Sequence, residues 1–359
     1  MTDALYVSTA PVFQVDGRTV QSLARDLLRL EVEETTRGLK SLQARFLDVG
    51  PVPGGTAEGS LYLTADVLDF GQPLTVAIGP QAAERTIFKG TISGLQADFA
   101  EGREPAVTVF AEDALMKLRM TRRSRTYEQV SDADIASRIA SDHGLTPDTS
   151  ADGPTYDVVQ QANQSDLAFL RDRAWAIGAE LWADDQTLAF QTRPNRTGTT
   201  LTLVRGNQLI SARLLADLAH QRSKIKITGY DAQARAQILE EAGAETVQGE
   251  TSGGESGTAV LERAFGERVS HRVREVPLTD GEARAWAKAE LLRRARAFVT
   301  VTGTTSGSPD MVVGSRLTLE RVGRPFEGGG WYVTRVRHTY DLERGHRTHF
   351  EAERATVST

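Results

Sequence analysis

The 359-residue sequence contains no cysteine, which excludes disulfides, thiolate metal sites and a cysteine nucleophile. It has no apolar run near the ~20 residues that a bilayer-spanning helix needs, so membrane insertion by this chain is not expected. The opening Met1-Thr2-Asp3-Ala4-Leu5-Tyr6 lacks a positive segment followed by an apolar one, and no signal peptide is expected. A basic surplus is missing as well. The formal net charge is −6, which argues against a general nucleic-acid binder. Among catalytic signatures, the nucleophile elbow, the phosphate-binding loop, the dinucleotide fingerprint and the H-E-x-x-H pair are all absent. What is present is an ordinary soluble composition, 40% hydrophobic and 25% charged, with enough apolar material for substantial cores. At ~100–200 residues per domain, the length predicts two or three domains.

The first ~120 residues read as β-structure. Apolar and charged residues alternate from Leu28 to Glu33, and Leu39 to Val49 follows after the turn Thr35-Thr36-Arg37-Gly38. Pro51-Val52-Pro53-Gly54-Gly55 marks a loop. Leu74, Val76 and Ile78 alternate again, and Arg85 to Phe99 is a long strand with Phe88, Gly90, Ile92 and Gly94 on one face. Its glycines predict a bulge or a close backbone approach. Val76 and Ile92 are expected in the core.

From Ala114 the pattern changes. Ser131-Asp132-Ala133-Asp134 predicts a capped helix with Ile135 and Ile139 on one face and Gly144 near its end. A second helix starts at Ser165, with Leu167, Leu170 and Ala174 inward and Arg171, Asp172 and Arg173 outward, and stops at Gly178. Glu180–Ala183, Asp184-Asp185-Gln186 and Thr187–Phe190 read as strand, turn, strand. β-signals return at Leu201–Val204 and Lys224–Thr228. Residues 231–258 run from an Ala/Glu/Gln segment with helical composition into a Gly/Ser-rich loop at 248–257, expected to be flexible. Thr279-Asp280-Gly281-Glu282 caps a helix with Ala285, Ala289 and Leu292 on one side. Strands at Phe298–Thr302, Arg316–Leu319, Trp331–Tyr340 and Arg347–Arg354 close the chain.

The predicted fold is therefore mainly β with α+β parts: two small β-barrels flanking an α/β domain. The expected boundaries are 1–118 for the first barrel, 119–200 for the α/β domain, 201–230 with 297–359 for the second barrel, and 231–296 for an insertion in it.

Candidate site residues are few. His346 and His349 sit three apart in a predicted strand and point to opposite faces, so they cannot share one ion. His338, on the preceding strand, can pair across the hairpin with one of them. Asp184-Asp185 is read as a turn and Glu31, Glu33 and Glu34 as a solvated face. Arg119, Arg122, Arg123 and Arg125 form either a solvated connector or a contact for an acidic partner. Trp175, Trp182, Trp286 and Trp331 are expected as core or interface anchors. No catalytic residue, cofactor or metal ligand is assigned.

Several motifs carry a family resemblance. They are Glu112-Asp113-Ala114-Leu115 with Leu118, Arg125-Thr126-Tyr127, Ser131 to Ala136, and Gln160-Gln161-Ala162-Asn163-Gln164-Ser165-Asp166-Leu167-Ala168-Phe169-Leu170. Val313 to Leu317, Phe326-Glu327-Gly328, Trp331 to His338 and Thr348 to Glu351 follow near the end. Together these resemble the phage late control protein D family, the tail hubs of contractile tails. The same hub occurs in valine-glycine-repeat spike proteins of type VI secretion and in extracellular contractile injection particles.

The resemblance implies a structural baseplate protein without enzymatic activity. Such a protein is a homotrimer whose paired barrels form a pseudo-six-fold adaptor between a hexameric inner tube protein and a trimeric spike protein, with baseplate components at its periphery. It is assembled in the bacterial cytoplasm into a tail or particle. The sequence stops at Thr359, after the last hub strand, so the spike is expected as a separate polypeptide. On this reading Val76→Asp blocks tube assembly before it blocks folding, and deleting 248–257 spares the trimer. The alternatives are a carbohydrate-binding module using Trp182 or Trp331 and a peptidoglycan hydrolase, which needs two suitably placed carboxylates.

Overall fold

The computed structural model describes residues 10–51, 58–64, 66–80, 83–251, 253–272 and 276–358. Alternation of apolar and polar residues builds its dominant feature, a 13-stranded sheet. From one end the order is Leu209–Ala216, Val299–Thr305, Gly345–Arg354 and Gly328–Asp341, then Leu27–Thr35, Ser41–Leu47, Ala106–Glu112, Arg85–Asp98, Pro73–Ile78, Val12–Val15 and Arg18–Thr19. Off this path Thr200–Val204 runs parallel to Arg316–Glu320, which in turn pairs with Gly328–Asp341.

The sheet carries two cores. The first half packs Phe13, Phe46, Val76, Phe88, Ile92 and Val109. The second packs Val299, Leu317, Trp331, Val333 and Phe350. Burying each such side chain contributes ~1.5–3 kcal/mol. The halves meet at one seam, where Leu27–Thr35 pairs antiparallel with Gly328–Asp341 and His338 lies opposite Val32. This corrects the expectation of two separate barrels. Among the described residues the strands of both halves belong to one continuous 13-stranded sheet, in which no closed barrel is found.

The glycines of Arg85–Asp98 behave as their position requires. The register shifts between Ile92 and Gly94, and a Cβ on Gly90 would lie 2.2 Å from the Glu112 carbonyl oxygen. Val76 and Ile92 are fully buried. A carboxylate at position 76 would enter that core without a partner, so Val76→Asp should stop folding itself, not assembly first.

Between the halves lies a small α/β unit. Its helix Asp132–Asp142 opens with a capping box in which Ser131 and Asp134 satisfy each other's backbone N–H groups. Its helix Asp166–Ile177 starts at Ser165 and ends in a left-handed C-cap at Gly178. Asp132 and Asp166 are nevertheless fully buried. Arg173 is not outward as expected, because it turns in to Asp132 at 2.5 Å and lies over the Tyr156 ring.

The insertion is larger than the pattern suggested. Lys224–Asp231 pairs with Ala236–Ala242 and Val269–Arg272 in a separate sheet, not with the second half. Alternation identifies a strand and says nothing of its partner. Ala236–Ala242, which had helical composition, is a strand because Ile238 and Ala242 pack under the helix Asp280–Arg296. That helix buries Ala283, Ala287, Leu291 and Ala295 on its own sheet, whereas Ala285 and Leu292 are only partly buried.

The loop at 248–257 is also tied down. Glu255–Ser256 pairs with Thr356–Val357, and a Cβ on Gly254 would meet the Val357 carbonyl oxygen at 2.0 Å. Gly254 and Gly257 permit close approach, and deletion of 248–257 would remove the pairing with Thr356–Val357. Within that loop Ser252 lies outside the described residues, as do Val52 to Gly55 of the Pro51–Gly55 loop and Met1 to Tyr6.

Candidate functional site

The seam has two faces because successive side chains alternate. Glu31 and Glu33 point one way and meet Arg337 at 3.7 Å and Arg335 at 2.9 Å on the partner strand. Glu34 belongs to the other face, with Leu30 and Val32. Reading the three glutamates as one solvated surface is therefore corrected at Glu34. Its carboxylate accepts from Arg196 at 2.7 Å and pairs with Lys40 at 3.0 Å. Burial opposes its ionisation, yet Lys40 and Arg196 outweigh burial and hold it below the usual carboxylate range.

Arg196 leads into a buried ionic junction. Glu180, which is 5% exposed, accepts from Tyr332 Oη at 2.7 Å, from Arg196 at 3.2 Å and from Arg193 at 3.2 Å. Arg193 reaches on to Glu353 at 2.6 Å and lies 4.1 Å over the Tyr332 ring. Burial, then the Glu180 charge, push the Tyr332 phenol well above its ordinary value. Three parts of the molecule meet here. Glu180, Arg193 and Arg196 come from the α/β unit, Glu34 and Lys40 from the first half, and Tyr332 and Glu353 from the second. Sequence reasoning missed these residues except Glu34, whose phase with Leu30 and Val32 was the available signal. Chemically the junction fixes orientation, since its carboxylates and guanidiniums are spent on one another.

The remaining candidates resolve separately. His338 Nδ1 is 3.2 Å from His346 Nε2 across the hairpin, and its Nε2 is 3.1 Å from the Met311 carbonyl oxygen, as the expected cross-hairpin pair. Burial lowers His338 to about 3 and His346 to about 4, which keeps both rings neutral. His349 instead faces Thr304 at 3.0 Å. Among the described residues no cluster of three or more His, Asp or Glu side chains is arranged to hold a metal. Asp185 sits in the turn and pairs with exposed Lys89 at 2.5 Å, which lowers its carboxyl.

The four arginines lie at the end of one helix and along the strand Arg122–Val130, so they are no connector. Arg119 pairs with Glu112 at 2.5 Å, Arg123 with Asp166 at 3.3 Å and Arg125 with Asp142, while Arg122 donates to the Asn163 carbonyl at 2.8 Å. Their charge is largely answered within the chain. Trp331 is fully buried, and Arg196 covers the Trp182 ring at 4.5 Å, so neither presents the open face that a sugar would stack on. Trp175 is 54% exposed.

Comparison with solved structures identifies the architecture. The chain resembles the 43 kDa tail protein of prophage MuSo2 from Shewanella oneidensis, with TM-score 0.68 and 14% identity over 96% of this chain and 98% of that one. It resembles a tail protein of Neisseria meningitidis, with TM-score 0.65 and 13% identity over 96% of each. The E. coli c3393 protein, described as a component of the type VI secretion system with structural similarity to T4 bacteriophage tail proteins gp27 and gp5, matches with TM-score 0.57 and 14% identity over 95% of this chain and 76% of that one. At such identities the likeness shows the fold, which is that of these tail proteins. Among the described residues no helix is long and apolar enough to cross a membrane. No curated protein matches the chain by sequence. The model of the Alg8 N-terminal domain matches residues 28–341, from the first seam strand to the end of the second, and the chain therefore belongs to the Alg8 N-terminal domain family.

Proposed function

We propose that this protein is a structural tail-hub component of the late control protein D type in a contractile phage tail or injection particle. It acts as a homotrimer that adapts a hexameric inner tube to a trimeric spike. The observation that carries the reading is the pair of β halves, each with its own core, locked edge to edge by the seam and the ionic junction. On this reading two β halves in each of three copies supply six platforms to a six-fold tube while keeping a three-fold face for the spike. Ring closure joins different faces of neighbouring subunits. The likeness to prophage tail proteins over nearly the whole chain supports the reading. We divide the chain functionally into the first β half, the α/β unit, the second β half and its insertion, with the last facing baseplate components.

Mass measurement in solution tests this directly. The expected species is three times the 39.1 kDa chain, and it co-assembles with the inner tube protein and with the spike protein. A monomer that binds neither, and instead binds glycans or clears cell-wall suspensions, would establish one of the alternatives.

A further inference from the structure

Beside the ionic junction the helices Asp166–Ile177 and Asp280–Arg296 and the turn after Leu27–Thr35 enclose a cleft of about 240 Å³. Small-molecule pockets run ~300–1,000 Å³, so this one suits a side chain or two of a peptide better than a whole cofactor. Its floor is made of small groups, Ala174, Gly178 and Ala289. Arg37, Arg171, Arg193, Arg293 and Arg296 line it together with Glu180 and Glu353, and Arg193 is already paired with those two carboxylates.

Arg37 and Arg171 have no carboxylate partner among the described residues. Arg171 spends its guanidinium on the Arg37 and Gly38 carbonyl oxygens at 2.9 and 3.1 Å, which leaves its charge unanswered. Arg296 is 9% exposed and paired with Glu250 at 2.5 Å, though its Nε has no hydrogen-bond partner. Arg293 lies 3.3 Å from the centroid of the exposed Trp175 ring. Burial, with Arg272, Arg294 and Arg296 nearby, lowers Arg293 to about 10 despite Glu290, and burial and Arg37 lower Arg171. Arg193, Arg293 and Arg296 each have a carboxylate partner, so the charge left to be answered by an entering anion is that of Arg37 and Arg171.

We propose that this cleft is a docking site for an acidic peptide segment of a partner protein, whose Glu or Asp side chain enters between Arg37, Arg171 and Arg293 while a neighbouring residue covers Trp175. Planar guanidinium forks match carboxylates in two-point contacts. The small apolar floor accepts the methylenes of such a side chain. The inference rests on the tail-hub reading only for the source of the segment, another particle component.

The test is fluorescence anisotropy of a labelled hexaglutamate peptide titrated with the full chain at low and at physiological salt. Binding is expected, weaker at the higher salt, and reduced about tenfold or more by Arg37→Glu. Arg37 is exposed and makes no side-chain partner that folding needs, so this variant should fold. Arg293→Gln gives a second reading, and Arg344→Glu, on the hairpin turn outside the cleft, should change nothing. Circular dichroism confirms folding of each variant. The proposal is overturned if the peptide does not bind at low salt, if folded Arg37→Glu and Arg293→Gln both bind it as the parent does, or if inorganic phosphate displaces it as effectively as unlabelled hexaglutamate. Mass is measured on the same samples. A trimer without peptide binding removes the cleft alone, and peptide binding by a monomer removes the hub reading alone.

Discussion

The two faces of the seam join the same pair of strands by opposite means. On one face Glu31 and Glu33 meet Arg337 and Arg335 with both partners substantially exposed. On the other, Glu34, Arg196 and Glu180 are closed from solvent, and His338 packs neutral beside Val336 and Tyr340 on the same strand face. Water screens the first set and leaves each pair worth ~0–1 kcal/mol. The second set is desolvated, so its members depend on one another and the loss of one strands the rest. Charge at a strand junction therefore says little about cohesion until its side of the sheet is known.

Three measurements challenge that contrast. Glu180→Ala should give the largest effect, because it leaves Arg193, Arg196 and the Tyr332 hydroxyl facing an unfilled space. A loss of ~3–5 kcal/mol is expected in denaturant unfolding. A loss under ~1 kcal/mol would show that the inner face is no more cohesive than the outer.

Next is the pH response of His338. Its ring has an ordinary value of 6.5 and a folded value of about 3, so between those values the unfolded state binds more protons. Its contribution is present above pH 6.5 and is lost as pH falls toward about 3, a drop of ~5 kcal/mol in all. Asp113 opposes it. Burial raises that carboxyl to about 6, so its contribution is present below pH 3.8 and lost as pH rises through about 6. The difference in unfolding free energy between the parent and His338→Leu, followed from pH 7 to 5, isolates the histidine and should shrink as pH falls. An NMR titration midpoint near 6.5 for His338 would contradict the buried neutral ring.

The smallest effect is expected for Arg335→Ala on the outer face. It should cost under ~1 kcal/mol, and the difference should fade in concentrated salt. A larger, salt-independent loss would erase the distinction between the faces.

Much of this was legible from the residues. Period-two alternation located Leu27–Thr35, Pro73–Ile78 and the closing hairpin, and capping patterns located the helices after Ser131, Ser165 and Thr279. These signals are local, and they survive because nearby atoms decide them. Pairing is not local. Nothing in Lys224–Asp231 announces that its neighbour is Ala236–Ala242 and not a strand of the large sheet. The junction was hidden for the same reason, since Glu180, Glu34 and Tyr332 lie in three separate segments. Glu34 alone left a trace, a carboxylate in phase with Leu30 and Val32 where a buried side chain belongs.

The seam also sets an order of events during synthesis. Leu27–Thr35 leaves the ribosome roughly 300 residues ahead of Gly328–Asp341, its final neighbour. Until that neighbour arrives, an otherwise completed first half presents an open strand edge to every nascent chain nearby. Glu31, Glu33 and Glu34 line that edge, and three negative charges in four residues are a strong deterrent to illegitimate pairing. Residues that bind arginines in the finished protein thus guard the unfinished one.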